Sequence, residues 1–277
     1  MKSLLITGGT GFVGRHVLKY LPHDIQISIL TRKKLLSDER VTYLFGDIAN
    51  ARDVERAMKM SRPDMLLHLA WNVKGERYAC AEENRLWVDW TKHLAQTFFQ
   101  QGGRIFVGSG TCFEYDLAYR GDHVEDEVCH PLTLYGECKL ETMRIVSELS
   151  ERHDARFVWG RIFYPYGRGE ESRKLFSSAL TTWRKGETFV CKSPDSVLDY
   201  IHIEDVARHF TAFLQNEQIQ GIVNVSTGKG ESVRTMLETL AQASGYEKML
   251  SFSGGGGDTR IVGSAEKARR YGIFCQH

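Results

Sequence analysis

The segment Thr7-Gly8-Gly9-Thr10-Gly11-Phe12-Val13-Gly14 is the feature that most restricts how this chain can fold. It follows Lys2-Ser3-Leu4-Leu5-Ile6-Thr7, a short and largely apolar run of strand length. It leads into Phe12–Leu21, where apolar residues recur at helical spacing. Strand, tight turn and helix in that order open a βαβ unit. Gly8, Gly9 and Gly11 can take backbone angles closed to other residues and let the chain approach a pyrophosphate, while Gly14 lets the helix lie close on the sheet. The helix N-terminus, where backbone amides lack intrahelical acceptors, then faces an anion. Glycine turns also simply join strands to helices, but this ordered context predicts a dinucleotide site at Gly8, Gly11, Phe12, Val13 and Gly14.

The rest of the chain keeps the same rhythm. Ile25–Leu30, Val41–Phe45, Met65–Leu69, Arg104–Gly108 and Arg156–Ile162 read as strands, separated by helical stretches that include Asp53–Lys59, Glu82–Gln100 and Leu134–Ser150. Alternation of this kind predicts an α/β fold with a Rossmann-type, doubly wound parallel sheet. The expected dinucleotide-binding domain covers residues 1–165, with a later contribution from about 198–227. Beyond Tyr166 the rhythm breaks into Gly167-Arg168-Gly169-Glu170-Glu171, a helix around Lys174–Lys185 and shorter pieces. Residues 166–277 are therefore expected to form mainly a small C-terminal substrate-binding lobe, with Gly254-Gly255-Gly256-Gly257 as a flexible surface loop.

With 277 residues, 42% of them hydrophobic, the chain can bury one substantial core. A net charge of +1 argues against nucleic acid or an anionic membrane as partner. The first apolar run breaks at Gly8, too early for a signal peptide. No apolar stretch reaches the roughly 20 residues of a membrane-spanning helix, so a cytoplasmic location is expected. The six cysteines show neither a C-x-x-C pair nor zinc spacing, which predicts reduced, mostly structural thiols and no metal.

Tyr135-Gly136-Glu137-Cys138-Lys139 adds chemistry to this frame. Residues four apart share a helix face, so the Tyr135 hydroxyl and the Lys139 ammonium can project together. A free tyrosine has a pKa near 10, and a neighbouring cation favours the phenolate, bringing the group toward the range where proton transfer is efficient. Alone this spacing is common; downstream of the glycine turn it points to redox chemistry on a bound dinucleotide. The end of the second strand bears on which one. Leu30-Thr31-Arg32-Lys33-Lys34 lacks the carboxylate that receives the ribose 2′-hydroxyl of NAD, and its cations at Arg32 and beyond suit a 2′-phosphate. NADP(H) is favoured and NAD(H) is possible.

The glycine pattern with Tyr135-x-x-x-Lys139 resembles the extended short-chain dehydrogenase/reductase family, in its NAD-dependent epimerase/dehydratase branch that works on nucleotide sugars. Further segments agree. Phe45-Gly46-Asp47-Ile48 resembles the family segment whose Asp contacts adenine, and His68-Leu69-Ala70 resembles the end of the fourth strand lining the cofactor. Arg161–Gly167 and Asp199–Ala207 resemble two later landmarks. The resemblance implies a Ser or Thr four positions before an aromatic residue, here Thr111 before Tyr115, with Ser109 as the nearby rival. It further implies that Thr111 hydrogen-bonds the sugar carbonyl, that Tyr135 gives or takes the proton there, and that Lys139 binds the nicotinamide ribose and lowers the Tyr135 pKa.

Departures narrow the reaction. Cys112 and Phe113 stand where the similar sugar 4,6-dehydratases carry an Asp-Glu pair, which argues against dehydration. Tyr164 stands where many epimerases have an Asn on the substrate pyrophosphate, and Leu198 precedes Asp199 where an Arg is frequent. His68–Trp71, Gly110–Asp116 and Leu132–Lys139 look most like nucleotide-sugar 4-ketoreductases. The implied reaction is reduction of a 4-keto-6-deoxy sugar nucleotide. A 4-epimerase with tightly bound NAD is the first alternative, and a non-catalytic dinucleotide sensor or scaffold the second. Trp71, Thr111, Tyr164, Arg173 and Lys174 are candidate substrate contacts, while His202 reads better as a structural residue at the start of a helix. The resemblance also implies a homodimer through Glu82–Gln100 and Leu134–Ser150.

Overall fold

In the computed structural model, which describes residues 2–75, 77–254 and 259–277, the alternating pattern builds a seven-stranded sheet. Its first five strands in the chain are β1 (Ser3–Thr7), β2 (Gln26–Thr31), β3 (Val41–Phe45), β4 (Met65–His68) and β5 (Ile105–Thr111). Across the sheet the order is Gly221–Val225, Arg156–Ile162, β5, β4, β1, β2, β3, and every neighbouring pair is parallel. The chain runs outward one way from β1 through β2 to β3 and the other way from β4. Between β1 and β4 lies the switch point at whose carboxyl edge ligands bind in doubly wound sheets.

Strand residues alternate between the two faces, and each face has its own core. Ile6 and Ile29 face a cluster completed by Val17 of α1 (Phe12–Tyr20) and by Phe210 and Phe213 of the helix Ile203–Gln215. Leu5, Leu66 and Phe106 face the opposite cluster, with Val54 of α2 (Ala51–Ser61), Phe98 of α3 (Glu83–Gln100) and Val146 of α4 (Leu134–Arg152). α3 and α4 lie side by side. β4 stops at His68, one residue earlier than the expected strand, although the Leu69 amide still donates to the Thr7 carbonyl at 3.0 Å.

A smaller four-stranded sheet orders Glu231–Ser232, Val197–Leu198, Arg260–Gly263 and Asp122–His123. The chain crosses residue 165 in both directions: Gly221–Val225 joins the large sheet and Asp122–His123 joins the small one. A third apolar cluster, including Trp183, Leu237 and Ala241, packs the helices Leu175–Arg184 and Val233–Ser244 together. The first of these fills the helix expected around Lys174–Lys185, with those two residues as its N-cap and C-cap. Lys174 is extended, with φ −71° and ψ 158°, and serves as its N-cap, so Arg173 and Lys174 precede the helix and do not lie along its face. Gly255–Gly257, most of the expected glycine loop, lie outside the described residues.

Candidate active site

The carboxyl ends of β1, β4 and β5 bring three sequence segments to one edge. At the first, Gly8 has φ +74°, and a Cβ there would sit 2.6 Å from the Leu69 carbonyl carbon and 2.7 Å from the Ala70 nitrogen. A Cβ on Gly14 would lie 2.4 Å from the Gly8 carbonyl oxygen. The Gly11 amide donates to that same oxygen at 2.9 Å, and Gly11 begins α1 with no side-chain cap. The turn is thus pressed between α1 and the chain leaving β4, and the first-turn amides at Phe12 and Val13 carry the positive end of the helix dipole. A cradle that any side chain would fill fits a dinucleotide pyrophosphate.

At the end of β2, Thr31 is buried and its hydroxyl accepts from the Lys33 amide at 3.2 Å. Arg32 is exposed, with its guanidinium 3.8 Å from the Asp47 carboxylate. The other Asp47 oxygen accepts from the Ala49 amide at 3.0 Å, and Ile48 beside it is buried. The Lys34 ammonium lies 5.6 Å from the Phe45 ring. Arg32 and Lys34 thus lie beside the end of β3 and the Asp47 that follows it.

β5 ends at Thr111, which caps the turn Cys112–Glu114, and α4 rests directly on that turn: a Cβ on Gly136 would meet the Phe113 carbonyl oxygen at 2.1 Å. This contact brings the first turn of α4, with Tyr135, to the side of Thr111. Burial pushes the Tyr135 phenol well above its ordinary value, a nearby Tyr78 adds to the rise, and the Thr111 side chain pulls the other way. Ser109, the rival position, contributes its carbonyl instead, accepting from the Lys139 ammonium at 2.8 Å.

Here the structure corrects one expectation. The sequence has Lys139 drawing the Tyr135 pKa down, but burial outweighs any such effect and leaves the phenol a protonated donor. It is Lys139 that burial moves, down to about 7, with Glu114 opposing the shift. The ammonium is almost fully buried and lies 4.0 Å from the centroid of the Trp71 ring. A lysine whose folded pKa lies below its unfolded value binds fewer protons when folded, so stability should rise with pH between about 7 and the unfolded value of 10.5. Lys139→Met removes this contribution. Denaturant titrations between pH 7.5 and 9.5 should show the wild type gaining on the variant by up to roughly 1.4 kcal/mol per pH unit. Parallel curves would show that Lys139 is not depressed.

Trp71 sits against both groups. It meets the Tyr135 ring edge-on at 6.2 Å, stacks on Trp87 at 5.6 Å, and donates its indole N–H to Asn84 Oδ1 at 2.8 Å. Tyr164 is packed against Tyr200 and lies near Cys112 and Tyr78. Arg173 pairs with Glu171, and the Lys174 ammonium lies 5.1 Å from the Tyr78 ring. His202 accepts from the Glu204 amide as the N-cap of the helix Ile203–Gln215. Sequence reasoning missed Tyr78, which meets Tyr135 at 5.3 Å and, with Lys74, Asn84, Trp87 and Arg173, lines a cavity of about 410 Å³. It also missed Asn84 and Glu114. Only Glu114 had a local signal, the Thr-x-x-Glu spacing of a capping box.

Among the described residues no group of three or more His, Cys, Asp or Glu is placed to hold a metal ion, and no helix is long and apolar enough to cross a membrane.

A doubly wound sheet with a glycine cradle at its switch point and a Thr, Tyr and Lys on the adjoining strand and helix is the scaffold of short-chain-type dinucleotide enzymes. The chain belongs to the NAD dependent epimerase/dehydratase family, whose model matches residues 4–226. It is 27% identical to the UDP-glucose 4-epimerase of Azospirillum brasilense, over 96% of this chain and 85% of that one. The fold is shared with the UDP-glucose 4-epimerase of Thermus thermophilus in complex with NAD, at a TM-score of 0.86 and 22% identity, covering 99% of this chain and 94% of that one. It is shared equally with the dTDP-glucose 4,6-dehydratase of Streptomyces venezuelae with NAD bound, at a TM-score of 0.87 and 20% identity, covering 99% and 92%.

Proposed function

We propose that this protein carries out NAD(P)-dependent oxidoreduction at carbon 4 of a nucleotide-diphosphate sugar, with Thr111 and Tyr135 at the sugar oxygen and Lys139 behind them. The observation that carries the reading is the convergence, at the carboxyl edge of the sheet beside the glycine cradle, of Thr111 at the end of β5 with the first turns of α4, which bring in the buried Tyr135 and Lys139. A bound nicotinamide would supply or accept the hydride. The chain does the rest. Thr111 donates to the carbonyl oxygen of the keto-sugar, stabilising the charge that develops there, and Tyr135, held protonated by burial, delivers its proton to the same atom. Lys139, poised near 7, offers its ammonium to the nicotinamide ribose and, through it, to the reacting centre. The cavity beside Tyr78 would admit the sugar, with Arg173 and Lys174 toward the diphosphate. A sensor would have no use for a Tyr135 buried beside Thr111.

Two versions of this chemistry differ in what happens to the cofactor. A 4-epimerase keeps it, oxidising and re-reducing the same carbon, and the named relatives favour this version. A 4-ketoreductase consumes NADPH, and the basic end of β2 favours it. Dehydration lacks its acid and base at Cys112 and Phe113, and burial pushes the Cys112 thiol far up. Homodimer formation through α3 and α4 belongs to the same proposal.

The deciding experiment incubates the purified protein with UDP-galactose and no added cofactor, and in parallel follows NADPH oxidation with 4-keto-6-deoxy sugar nucleotides generated in place. UDP-glucose formation establishes the epimerase, NADPH oxidation the reductase, and neither sinks the proposal. For the cofactor, Arg32→Ala should weaken NADPH binding about tenfold, the loss of one charge-assisted phosphate contact, and leave NADH binding unchanged. An unchanged NADPH affinity would remove the 2′-phosphate from the reading.

A further inference from the structure

Glu114 is completely buried three residues beyond Thr111, with four hydrogen bonds fixing both its oxygens. Oε1 accepts from the Thr111 amide at 2.9 Å and from Trp159 Nε1 at 3.0 Å; Oε2 accepts from Arg161 Nε at 2.8 Å and from the same Trp159 N–H at 3.2 Å. Thr111 reciprocates by accepting from the Phe113 amide at 3.3 Å, closing a capping box around the turn. β5 is hollowed to admit this group. A Cβ on Gly110 would stand 2.2 Å from Trp159 Nε1 and 2.5 Å from Glu114 Oε1, and one on Gly108 would stand 2.3 Å from the Trp159 ring. Arg161 is held in turn by the Tyr115 ring at 4.3 Å and by Cys129 Sγ at 3.1 Å.

A buried ion pair generally adds little stability over an apolar replacement of the same volume. The location of this one is therefore what needs a reason, and it is anchored to the backbone of the residue that meets Tyr135. The same Trp159 that donates to Glu114 presents its ring 5.7 Å from the Lys139 ammonium. We propose that Glu114, locked by Arg161 and Trp159, is a positioning residue that fixes the Thr111 hydroxyl against Tyr135 and serves as the buried counter-charge to Lys139. This rests on the reading of Thr111, Tyr135 and Lys139 given above. The groups facing Lys139 are the Ser109 carbonyl, the Trp71 and Trp159 rings, Glu114, and His68 at the end of β4, which burial drives down to about 3 and so keeps neutral.

The test is Glu114→Gln in the full chain, together with the double variant Glu114→Gln/Arg161→Gln, which removes the charge left unpaired on Arg161 should the single change impair folding. Turnover of UDP-galactose, or of whichever 4-keto-sugar nucleotide the wild type reduces, is measured across pH with dinucleotide affinity and KM alongside. Both folded variants should lose about 10- to 100-fold in kcat, with KM and cofactor affinity within about twofold of wild type. The alkaline fall in kcat should also begin at lower pH, because Lys139 loses the charge that opposes its deprotonation. A kcat within about twofold of wild type and an unmoved pH profile, in either folded variant, would overturn the proposal and leave Glu114 a purely structural group. Equal turnover by wild type and Tyr135→Phe would instead overturn the reading of the site on which it rests.

Discussion

Tyr135→Phe should leave the protein folded and the dinucleotide bound while turnover falls by about 10²- to 10⁴-fold, the usual worth of a positioned proton donor. The structure explains why the two effects separate. The ring of Tyr135 meets Tyr78, Trp71 and Phe113 edge-on at 5.3, 6.2 and 6.1 Å, contacts that a phenyl ring keeps. What disappears is the buried hydroxyl beside Thr111. Losing one buried hydroxyl costs at most about 1–3 kcal/mol, too little to unfold the sheet. Measuring kcat beside dinucleotide affinity, by quenching of protein fluorescence, checks both halves. A wild-type rate would take Tyr135 out of the mechanism.

Gly8→Ala should do the opposite, abolishing measurable dinucleotide binding and lowering the melting temperature by about 5–10 °C. Two costs add. An alanine at φ +74° pays roughly 1–2 kcal/mol for the left-handed backbone, and its methyl group would meet the Leu69 carbonyl carbon, the Leu69 oxygen and the Ala70 nitrogen at 2.6 to 2.8 Å. Those are backbone atoms and cannot turn aside, so either the cradle or the exit from β4 must shift. Gly245→Ala isolates the first cost: Gly245 caps the helix Val233–Ser244 at φ +73° with nothing within 4 Å of a Cβ, and should lose only the backbone term. Calorimetry and NADH titration of the two variants test the comparison. Equal destabilisation would mean that the contact with Leu69 and Ala70 is not what requires glycine.

The particular residues show how far the chain was legible. β1, the turn and α1 could be read directly because each of their signals spans only a few positions: an apolar run, glycines where a positive φ and close approach require them, and apolar residues at helical spacing. The four-residue step from Tyr135 to Lys139 is local in the same sense, so the shared helix face followed from spacing alone. Arg173 and Lys174 mark the limit of such signals: the pattern places them at the start of the helix, and only the extended backbone of the N-cap Lys174 sets them ahead of it.

The electrostatic state of the site was not legible in this way. Spacing placed Lys139 near Tyr135 and predicted that the cation would lower the phenol; the fold buries both, raises the phenol and lowers the lysine to about 7. Glu114 finds Arg161 47 residues away and Trp159 45 residues away, and Trp71 finds Asn84 across the chain leaving β4. By itself the sequence determined the doubly wound order and the residue types brought to the edge of the sheet, because backbone angles and periodicity act over short stretches. Only the tertiary structure decided which of those groups are protonated and which are held in place. Desolvation and hydrogen-bond partners are set by strands and helices that become neighbours only when the sheet is assembled.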